Sequence, residues 1–279
     1  MSLYIYAKTG HNYGLDDLKK CAYIYKELEE YKPILLVSDY RACAYANEYL
    51  NIKGATSIDV VQNIANVAIN GDSLIICSDE LNSALLEDMA KFFKTIVVID
   101  NPIIDLPNIF YINSLNIQTQ YYNNIDTFKS DIPVLFFGDD DYNKQLKSLP
   151  IKNKKVKLLK GYYFFMGYDE EIKNNFLDII DEEEYFNTIK NSKYLITSSI
   201  YSCLESLYHN NKPIFIKRDD KIYNDEHILK QYNIPIYSFN ELSNILNNPN
   251  DIFINYPNII LKPITPPTNI AKFLKIFKK

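Results

Sequence analysis

Short apolar runs alternate with longer amphipathic stretches along most of this chain, and that alternation constrains the fold more than any other feature. Residues 3–7, 33–38, 73–78 and 95–100 are nearly unbroken apolar runs. Between the first two runs, residues 15–30 repeat apolar side chains at helical spacing. Continuous apolar strands that alternate with helices are typical of a parallel sheet covered on both faces.

The alternation stops in the polar, proline-containing stretch 101–131 and then resumes. We predict further strands at 133–137, 156–159, 194–197, 213–217 and 234–237, and helices at 15–30, 41–50, 80–93, 169–178, 182–191, 202–209 and 241–246. The expected fold class is therefore α/β, with two Rossmann-like domains that carry parallel sheets and face a cleft. The predicted domains are 1–125 and 132–262, followed by a crossover and a basic amphipathic helix at 263–279.

The amino-acid composition limits the classes of binding partner that are expected for this protein. Thirty Lys and Arg against 35 Asp and Glu give a net charge of -5, so nothing in the overall charge favours nucleic acid. The N-terminus does not resemble a signal peptide, and no apolar run is long enough to span a bilayer, so we expect a cytoplasmic protein. The four Cys form no CxxC motif and are expected to be reduced thiols. Abundant Ile, Asn, Lys and Tyr indicate an AT-rich bacterial genome.

Ligands of open parallel sheets bind beyond the carboxyl ends of the strands, so the turn after the first strand is the first candidate site. Gly10 and Gly14 allow a tight turn before the helix, and His11 between them can accept a proton. The alternative is an ordinary strand-to-helix turn with an exposed histidine.

A second candidate site follows the strand at 194–197. Ser198 or Ser199 is expected to cap the next helix, and the same hydroxyl and N–H groups suit a diphosphate. Glu205 lies two turns into that helix among apolar residues. Its carboxylate is either a solvated helix charge or an acceptor for a pair of ribose hydroxyls.

Several other residues have two interpretations. The acidic run 139–141 either binds Mg²⁺ or, as we favour, caps a helix and faces solvent. The segment 161–166 is either a half-buried strand, which we favour, or an aromatic surface that stacks a base or sugar. Arg218 lies at a strand end near the ligand side, and His209 and His227 are expected on the surface.

The segment that begins at Ser198 resembles the nucleotide-binding segment of GT-B glycosyltransferases. Ser198 is followed seven positions later by Glu205, and then by Lys212, Pro213 and a strand. The spacing is similar to that of the N-acetylglucosaminyltransferase that makes lipid II and of the UDP-sugar hydrolase of pseudaminic acid biosynthesis. The resemblance implies that Ser198 and Ser199 bind the diphosphate of a UDP-sugar and that Glu205 binds its ribose.

Two further segments carry the same resemblance. The segment of Thr9, Gly10 and His11 resembles the amino-terminal Gly-His loop of these families, and the likeness to the hydrolase implies a catalytic His11. Gly138 and Asp139 resemble the turn that opens their carboxyl half and contacts the nucleotide-sugar. GT-B enzymes as a class usually use no bound metal, so neither a metal nor a cofactor is expected.

Three functions remain open at this point. The first is a glycosyltransferase of bacterial surface glycan assembly, with a UDP-sugar donor and a sugar, lipid or protein acceptor. The second is a UDP-sugar hydrolase of the nonulosonic acid type. The third is a non-catalytic nucleotide-sugar-binding module, which the scarcity of Gly and the acidic turn at 139–141 favour. The helix in 263–279 is expected to dock on the first domain or to contact the inner face of the membrane.

Overall fold

The computed structural model describes residues 1–100, 102–112, 129–221, 223 and 226–257. The described residues divide into two compact units, one within Met1–Gln118 and the other within Thr119–Lys262. The predicted domain end at 125 and the predicted crossover and helix at 263–279 lie outside the described residues.

The first unit contains one fully parallel six-stranded sheet. Its strands are β1 (Leu3–Ala7), β2 (Ile34–Val37), β3 (Thr56–Ser57), β4 (Ser73–Cys77), β5 (Thr95–Ile99) and β6 (Ile109–Ile112), in the order β3-β2-β1-β4-β5-β6. Its α-helices are α1 (Asp16–Glu27), α2 (Tyr40–Glu48) and α3 (Ser83–Phe92). The side chains of Asp39 and Asn82 cap α2 and α3 by accepting hydrogen bonds from backbone N–H groups, which explains where these helices begin.

The second unit repeats this arrangement. Its strands are β7 (Val134–Phe136), β8 (Lys157–Leu159), β9 (Ile179–Ile180), β10 (Tyr194–Thr197), β11 (Lys212–Lys217) and β12 (Ile236–Ser238), in the order β12-β11-β10-β7-β8-β9. Its helices are α4 (Tyr168–Ile172), α5 (Tyr185–Asn191), α6 (Ile200–Tyr208), α7 (Glu226–Gln231), α8 (Phe239–Asn247) and α9 (Pro249–Ile254).

Both sheets have the Rossmann strand order. Counted from the first strand of each unit, the order is 3-2-1-4-5-6, so the direction of winding reverses between β1 and β4 and again between β7 and β10. The predicted fold class of two Rossmann-like, parallel-sheet units is confirmed. Within the described part of the chain, no helix is long and apolar enough to cross a membrane.

The sequence interpretation was wrong for several short elements. It missed strands β3 and β9, which are two residues long, and β6, which lies inside the stretch interpreted as polar. It also missed helices α7 and α9. The segment 161–166, interpreted as a half-buried strand, is a turn between β8 and α4. These elements are too short to produce a clear periodic signal.

Neighbouring residues of β10 pack on opposite faces of the second sheet. Leu195 belongs to the apolar cluster that includes Val134 and Tyr185, whereas Ile196 belongs to the larger cluster with Leu135 and Ile214. This central strand is therefore buried on both faces, as its unbroken apolar sequence predicts.

His209, expected on the surface, is instead buried at the end of α6. The Nζ of Lys129 donates hydrogen bonds to the carbonyl oxygens of His209 and Lys190, at 3.0 and 2.6 Å, and so ties together the ends of α5 and α6. Burial, reinforced by the charges of Lys129 and Lys190, lowers the pKa of His209 to about 4. His227 is exposed, as expected.

Replacing Ile196 by Ala should lower the free energy of unfolding of the second unit by about 2 to 5 kcal/mol, because it leaves a cavity in a core buried on both faces. Ile254→Ala is the matched control, since Ile254 is 76% exposed in the same unit. We expect the control to change stability by less than about 0.5 kcal/mol. Urea denaturation of both variants measures the difference, and equal losses would contradict this core assignment.

Because folding lowers the pKa of His209 from its ordinary value near 6.5 to about 4, the unfolded chain binds a proton more readily than the folded one between these values. Stability attributable to this histidine should therefore be lost as the pH falls from about 6.5 to 4, by up to about 3 kcal/mol. His209→Gln should remove this part of the pH dependence, whereas His227→Gln should not. Urea denaturation across that pH range tests both variants, and identical pH profiles for wild type and His209→Gln would contradict the assignment.

Candidate functional site

The turns after β7 and β10 lie side by side at the carboxyl edge of the second sheet, where the strand order reverses. The two strands are direct neighbours, and the backbone N–H of Ser198 donates to the carbonyl oxygen of Phe136 at 3.2 Å. Open α/β sheets bind their ligands at this position. The predicted Gly138 turn and the predicted Ser198 turn are therefore brought together by the topology.

The turn after β10 presents hydroxyl groups at the start of helix α6. Ser199 is the N-cap, because its Oγ accepts a hydrogen bond from the backbone N–H of Ser202 at 2.9 Å. The Ser199 N–H itself donates to Thr197 Oγ1 at 3.1 Å. Ser198 is 6% exposed, and its Oγ is buried without a hydrogen-bond partner among the described residues. A buried hydroxyl with no partner is costly, so this oxygen is suited to meet a ligand.

Glu205 is fully buried, so the interpretation as a solvated helix charge was wrong. The hydroxyl of Tyr185 on α5 donates to Glu205 Oε2 at 2.6 Å. The same hydroxyl lies 2.7 Å from Ser202 Oγ, which donates to Ser199 Oγ at 2.8 Å. The Tyr185 hydroxyl thus lies between Glu205 and Ser202, next to the residue that caps α6. The predicted ribose contact of Glu205 stays a prediction.

Arg218 stabilises the Gly138 turn through hydrogen bonds to its backbone. Gly138 has a φ of 93°, a left-handed conformation that favours glycine. The Nη1 of Arg218 donates to the carbonyl oxygens of Phe137 and Asp140, at 3.0 and 2.6 Å, and its guanidinium lies 4.2 Å from the centre of the Phe137 ring. Arg218 is 1% exposed, so it fixes the backbone of the turn and is not a surface ligand for a substrate.

The acidic run 139–141 does not face solvent, and that expectation was wrong. Asp140 forms ion pairs with Arg218, at 3.3 Å, and with Lys221, at 2.7 Å. Asp141 accepts hydrogen bonds from the backbone N–H groups of Gln145 and Leu146, at 2.8 and 2.9 Å, so it caps the short helical turn there as predicted. Buried cations and N–H donors thus offset the charges of Asp140 and Asp141.

The loop after β8 packs tightly against the same turn. A Cβ on Gly161 would lie only 2.4 Å from the carbonyl oxygen of Asp139, so only glycine fits there. The N–H of Tyr163 donates to that carbonyl at 2.7 Å. Phe165 and Met166 in this loop are exposed, and the ring of Tyr142 lies 5.7 Å from that of Phe165. The loop therefore places aromatic and thioether groups on the outside, beside the turn.

In the first unit, the predicted turn around His11 is formed as expected. Gly10 and Gly14 have φ values of 134° and 80°, and the Gly14 N–H donates to the Gly10 carbonyl oxygen at 2.8 Å. His11 is partly exposed, with its Nδ1 atom buried. The turn follows β1, so it lies at the carboxyl edge of the first sheet, where the strand order also reverses.

Polar side chains surround this turn, and several were missed at the sequence level. Lys8 forms a partly buried ion pair with Glu80, and its Nζ lies 4.8 Å from the centre of the Tyr13 ring. Thr9 Oγ1 donates to Asp39 Oδ2 at 2.6 Å. These contacts attach the turn to the ends of β2 and β4 and so restrict the position of His11.

Asp79 and Glu80 directly follow β4, the partner of β1 at the reversal of strand order. Asp79 is exposed, and partial desolvation of its carboxyl group raises its pKa above the usual value. A carboxyl group with a raised pKa is a candidate for proton transfer. Their position just after the predicted strand 73–78 is the signal that could have identified them as candidates from the sequence.

The described residues contain no group of three or more His, Cys, Asp or Glu side chains that could hold a metal ion. The Mg²⁺ interpretation of 139–141 therefore has no support in the geometry. Cys21, Cys77 and Cys203 are buried free thiols, and Cys43 is a partly buried one.

Comparisons with known proteins give matches in structure only. No family model matches the chain, and no curated protein matches it in sequence. The solved UDP-GlcNAc 2-epimerase of Methanocaldococcus jannaschii, in complex with UDP-GlcNAc and UDP, matches with a TM-score of 0.62 at 12% identity, over 100% of this chain and 99% of that one. S. aureus MnaA, solved with UDP, matches with a TM-score of 0.54 at 12% identity, over 91% and 88% of the two chains.

A third structure, also a UDP-N-acetylglucosamine 2-epimerase, has a TM-score of 0.50 at 9% identity, over 92% of this chain and 87% of that one. At these identities the likeness concerns the fold. The two Rossmann-like units, in this order and over nearly the whole length of the compared chains, confirm the predicted resemblance to proteins of the GT-B fold.

Proposed function

We propose that the second unit binds a nucleoside diphosphate sugar, UDP-linked, and that the chain is a GT-B-type glycosyltransferase of bacterial surface glycan assembly. The observation that carries the proposal is Ser198, whose buried hydroxyl has no partner among the described residues and lies at the start of α6. The fold supports it, because the M. jannaschii structure with this fold contains UDP-GlcNAc and UDP.

The diphosphate would be held by neutral donors. The hydroxyl groups of Ser198 and Ser199, the N–H groups at the start of α6 and the Gly138 turn would supply hydrogen bonds, and the helix dipole favours negative charge. Asp139, which follows Gly138, belongs to the proposed contact region. Glu205 lies on α6, in the segment that begins at Ser198, and accepts a hydrogen bond from Tyr185. This arrangement requires no metal ion at the diphosphate.

His11 would act as the general base. It would remove the proton from an acceptor hydroxyl while the acceptor oxygen bonds to the anomeric carbon and the bond from that carbon to the diphosphate breaks. The departing diphosphate would keep the bonding electrons and would be stabilised by the N–H groups of α6. The acceptor would be a hydroxyl of a sugar, lipid or protein. The proposal also includes contact of the protein with a membrane face.

A second candidate is a reaction of the UDP-sugar without an acceptor, such as hydrolysis. The observation that favours it is the pair of carboxylates Asp79 and Glu80, which come after β4. This strand is the neighbour of β1, after which His11 lies, at the reversal of strand order in the first sheet. Together with His11 these groups could serve as acid and base toward water or toward the sugar itself.

Ser198→Ala should weaken UDP binding by about 10- to 100-fold, because it removes a hydrogen bond to a charged phosphate. It should not lower the melting temperature of the free protein, since the hydroxyl has no partner there. Ser206→Ala is the matched control, because Ser206 on α6 is fully buried and its Oγ also has no partner among the described residues. Differential scanning fluorimetry and calorimetric titration with UDP, GDP and CMP measure both effects.

If none of these nucleotides binds the wild-type protein at millimolar concentration, the proposed function is wrong. If Ser198→Ala and Ser206→Ala bind UDP equally well, the diphosphate does not lie at this turn.

His11→Ala should lower turnover of the UDP-sugar by about 10²- to 10⁴-fold while UDP affinity stays within about twofold of wild type. Release of UDP from a panel of UDP-sugars, measured with and without bacterial glycan acceptors, is the assay. Exposed His227 provides the control, as His227→Ala should retain full activity. Release of free sugar without acceptor would select the second candidate, and full turnover by His11→Ala would remove His11 from the mechanism.

A further inference from the structure

Three neighbouring strands of the second sheet begin beside exposed aliphatic and basic side chains. The segments before β7, β8 and β9 lie side by side, because the Lys157 N–H donates to the Pro133 carbonyl oxygen at 3.0 Å and the Leu177 N–H to that of Val156 at 2.9 Å. Neighbouring strands are about 4.8 Å apart, so these segments form a surface about 10 Å across where the strands begin. We call this surface the amino-edge patch, and it consists of Ile132, Lys152, Lys154, Lys155 and Leu177.

The loop before β8 carries the three lysines of the patch. Lys152, Lys154 and Lys155 are exposed and form no ion pair among the described residues. By contrast, Lys147 of the same unit pairs with Glu171 at 2.8 Å. In a chain with a net charge of -5, the loop is therefore a local concentration of positive charge.

Hydrogen bonds attach this loop to helix α8. The N–H groups of Lys152 and Asn153 donate to Asn247 Oδ1, at 2.7 and 3.2 Å, and Asn247 Nδ2 donates to the Pro150 carbonyl oxygen at 3.2 Å. The backbone that carries the lysines thus has a defined position before a partner binds, which reduces the entropy lost on binding.

Exposed aliphatic side chains flank the lysines. Ile132 is 38% exposed and Leu177 is 49% exposed. The carboxylates next to them in sequence, Asp131 and Asp178, pair with lysines at 2.7 and 3.5 Å. The patch therefore combines positive charge with aliphatic groups, and the acidic residues beside it are neutralised.

This combination favours an anionic lipid surface over a nucleic acid. Lysines are attracted to the phosphate groups of both. Aliphatic side chains gain free energy when they enter the boundary between lipid headgroups and acyl chains, whereas a phosphate backbone offers them no apolar partner. The patch also lies at the opposite edge of the sheet from the turns of Gly138 and Ser198, so a bilayer at the patch leaves those turns uncovered.

We infer that the amino-edge patch binds the surface of an anionic lipid bilayer, with its lysines on the headgroup phosphates and with Ile132 and Leu177 inserted beside them. The inference rests on the proposed function in one respect, since it gives the proposed membrane contact a place on the second unit. It is separate from the contact expected for 263–279, and it uses residues at the other edge of the sheet from the candidate nucleotide site.

The test is co-sedimentation of the full chain with vesicles of equal parts phosphatidylglycerol and phosphatidylcholine, and with vesicles of phosphatidylcholine alone. Wild type should bind the first and not the second, and added NaCl should weaken the binding because it screens the lysines. The triple variant Lys152→Gln, Lys154→Gln and Lys155→Gln should bind the anionic vesicles about 100-fold more weakly.

The matched control is the triple variant Lys53→Gln, Lys94→Gln and Lys230→Gln, which changes the net charge equally at three other exposed lysines. It should bind within about threefold of wild type, because distant charges are screened. The double variant Ile132→Ser and Leu177→Ser keeps the charge and should weaken binding to the anionic vesicles by about tenfold.

The inference is wrong if wild type does not bind the anionic vesicles, or if the triple variant of the patch binds them as well as its control does. Binding of wild type to duplex DNA that the double variant retains in full would assign the patch to a nucleic acid and would also overturn the inference. Calorimetric titration of wild type with UDP separates this inference from the proposed function. UDP binding without vesicle binding refutes the inference alone, and vesicle binding without UDP binding supports the inference while refuting the nucleotide site.

Discussion

Parallel strands all end at the same edge of a sheet, and this constraint decides where chemistry can occur in both units. Each sheet has the order 3-2-1-4-5-6, so the chain reverses its winding once per unit, between β1 and β4 and between β7 and β10. At each reversal two strand ends lie side by side. The turns around His11, Gly138 and Ser198 all follow strands that flank these reversals.

At the second reversal, the structure separates charged groups from neutral ones. Arg218 and Lys221 offset the charge of Asp140, and N–H groups satisfy Asp141. These buried charged groups have partners within the protein and stabilise the Gly138 turn. The groups near the start of α6 are hydroxyl and N–H donors, and among them the Ser198 hydroxyl has no partner among the described residues. Hydroxyl and N–H donors at a helix start suit a diphosphate, because they hydrogen-bond its oxygens and the helix dipole favours negative charge.

The sequence predicted the larger elements well, because long apolar strands and amphipathic helices have clear periods. It also predicted the turns of His11, Gly138 and Ser198, since each directly follows such a strand. It could not predict the burial of 139–141 or of His209. Their partners Arg218, Lys221 and Lys129 are distant in sequence and meet them only in the folded unit. The Tyr185 contact with Glu205 was missed for the same reason, because it joins two helices across twenty positions of sequence.

The first unit illustrates a second limit. Asp79 and Glu80 were not singled out, although they follow a predicted strand, because the pairing of β4 with β1 is a property of the sheet order and not of local sequence. In the sheet, β4 is the neighbour of β1, so both carboxylates follow the strand that lies beside the one leading to His11. The position of these two carboxylates relative to the turn of His11 is therefore known only once the sheet order is known.

The most direct test of the central claim is a crystal structure of the chain grown with UDP. The account predicts electron density for the diphosphate against the hydroxyl groups of Ser198 and Ser199 and the first N–H groups of α6. Density for UDP at any other position, with the Ser198 hydroxyl still lacking a partner, would contradict it.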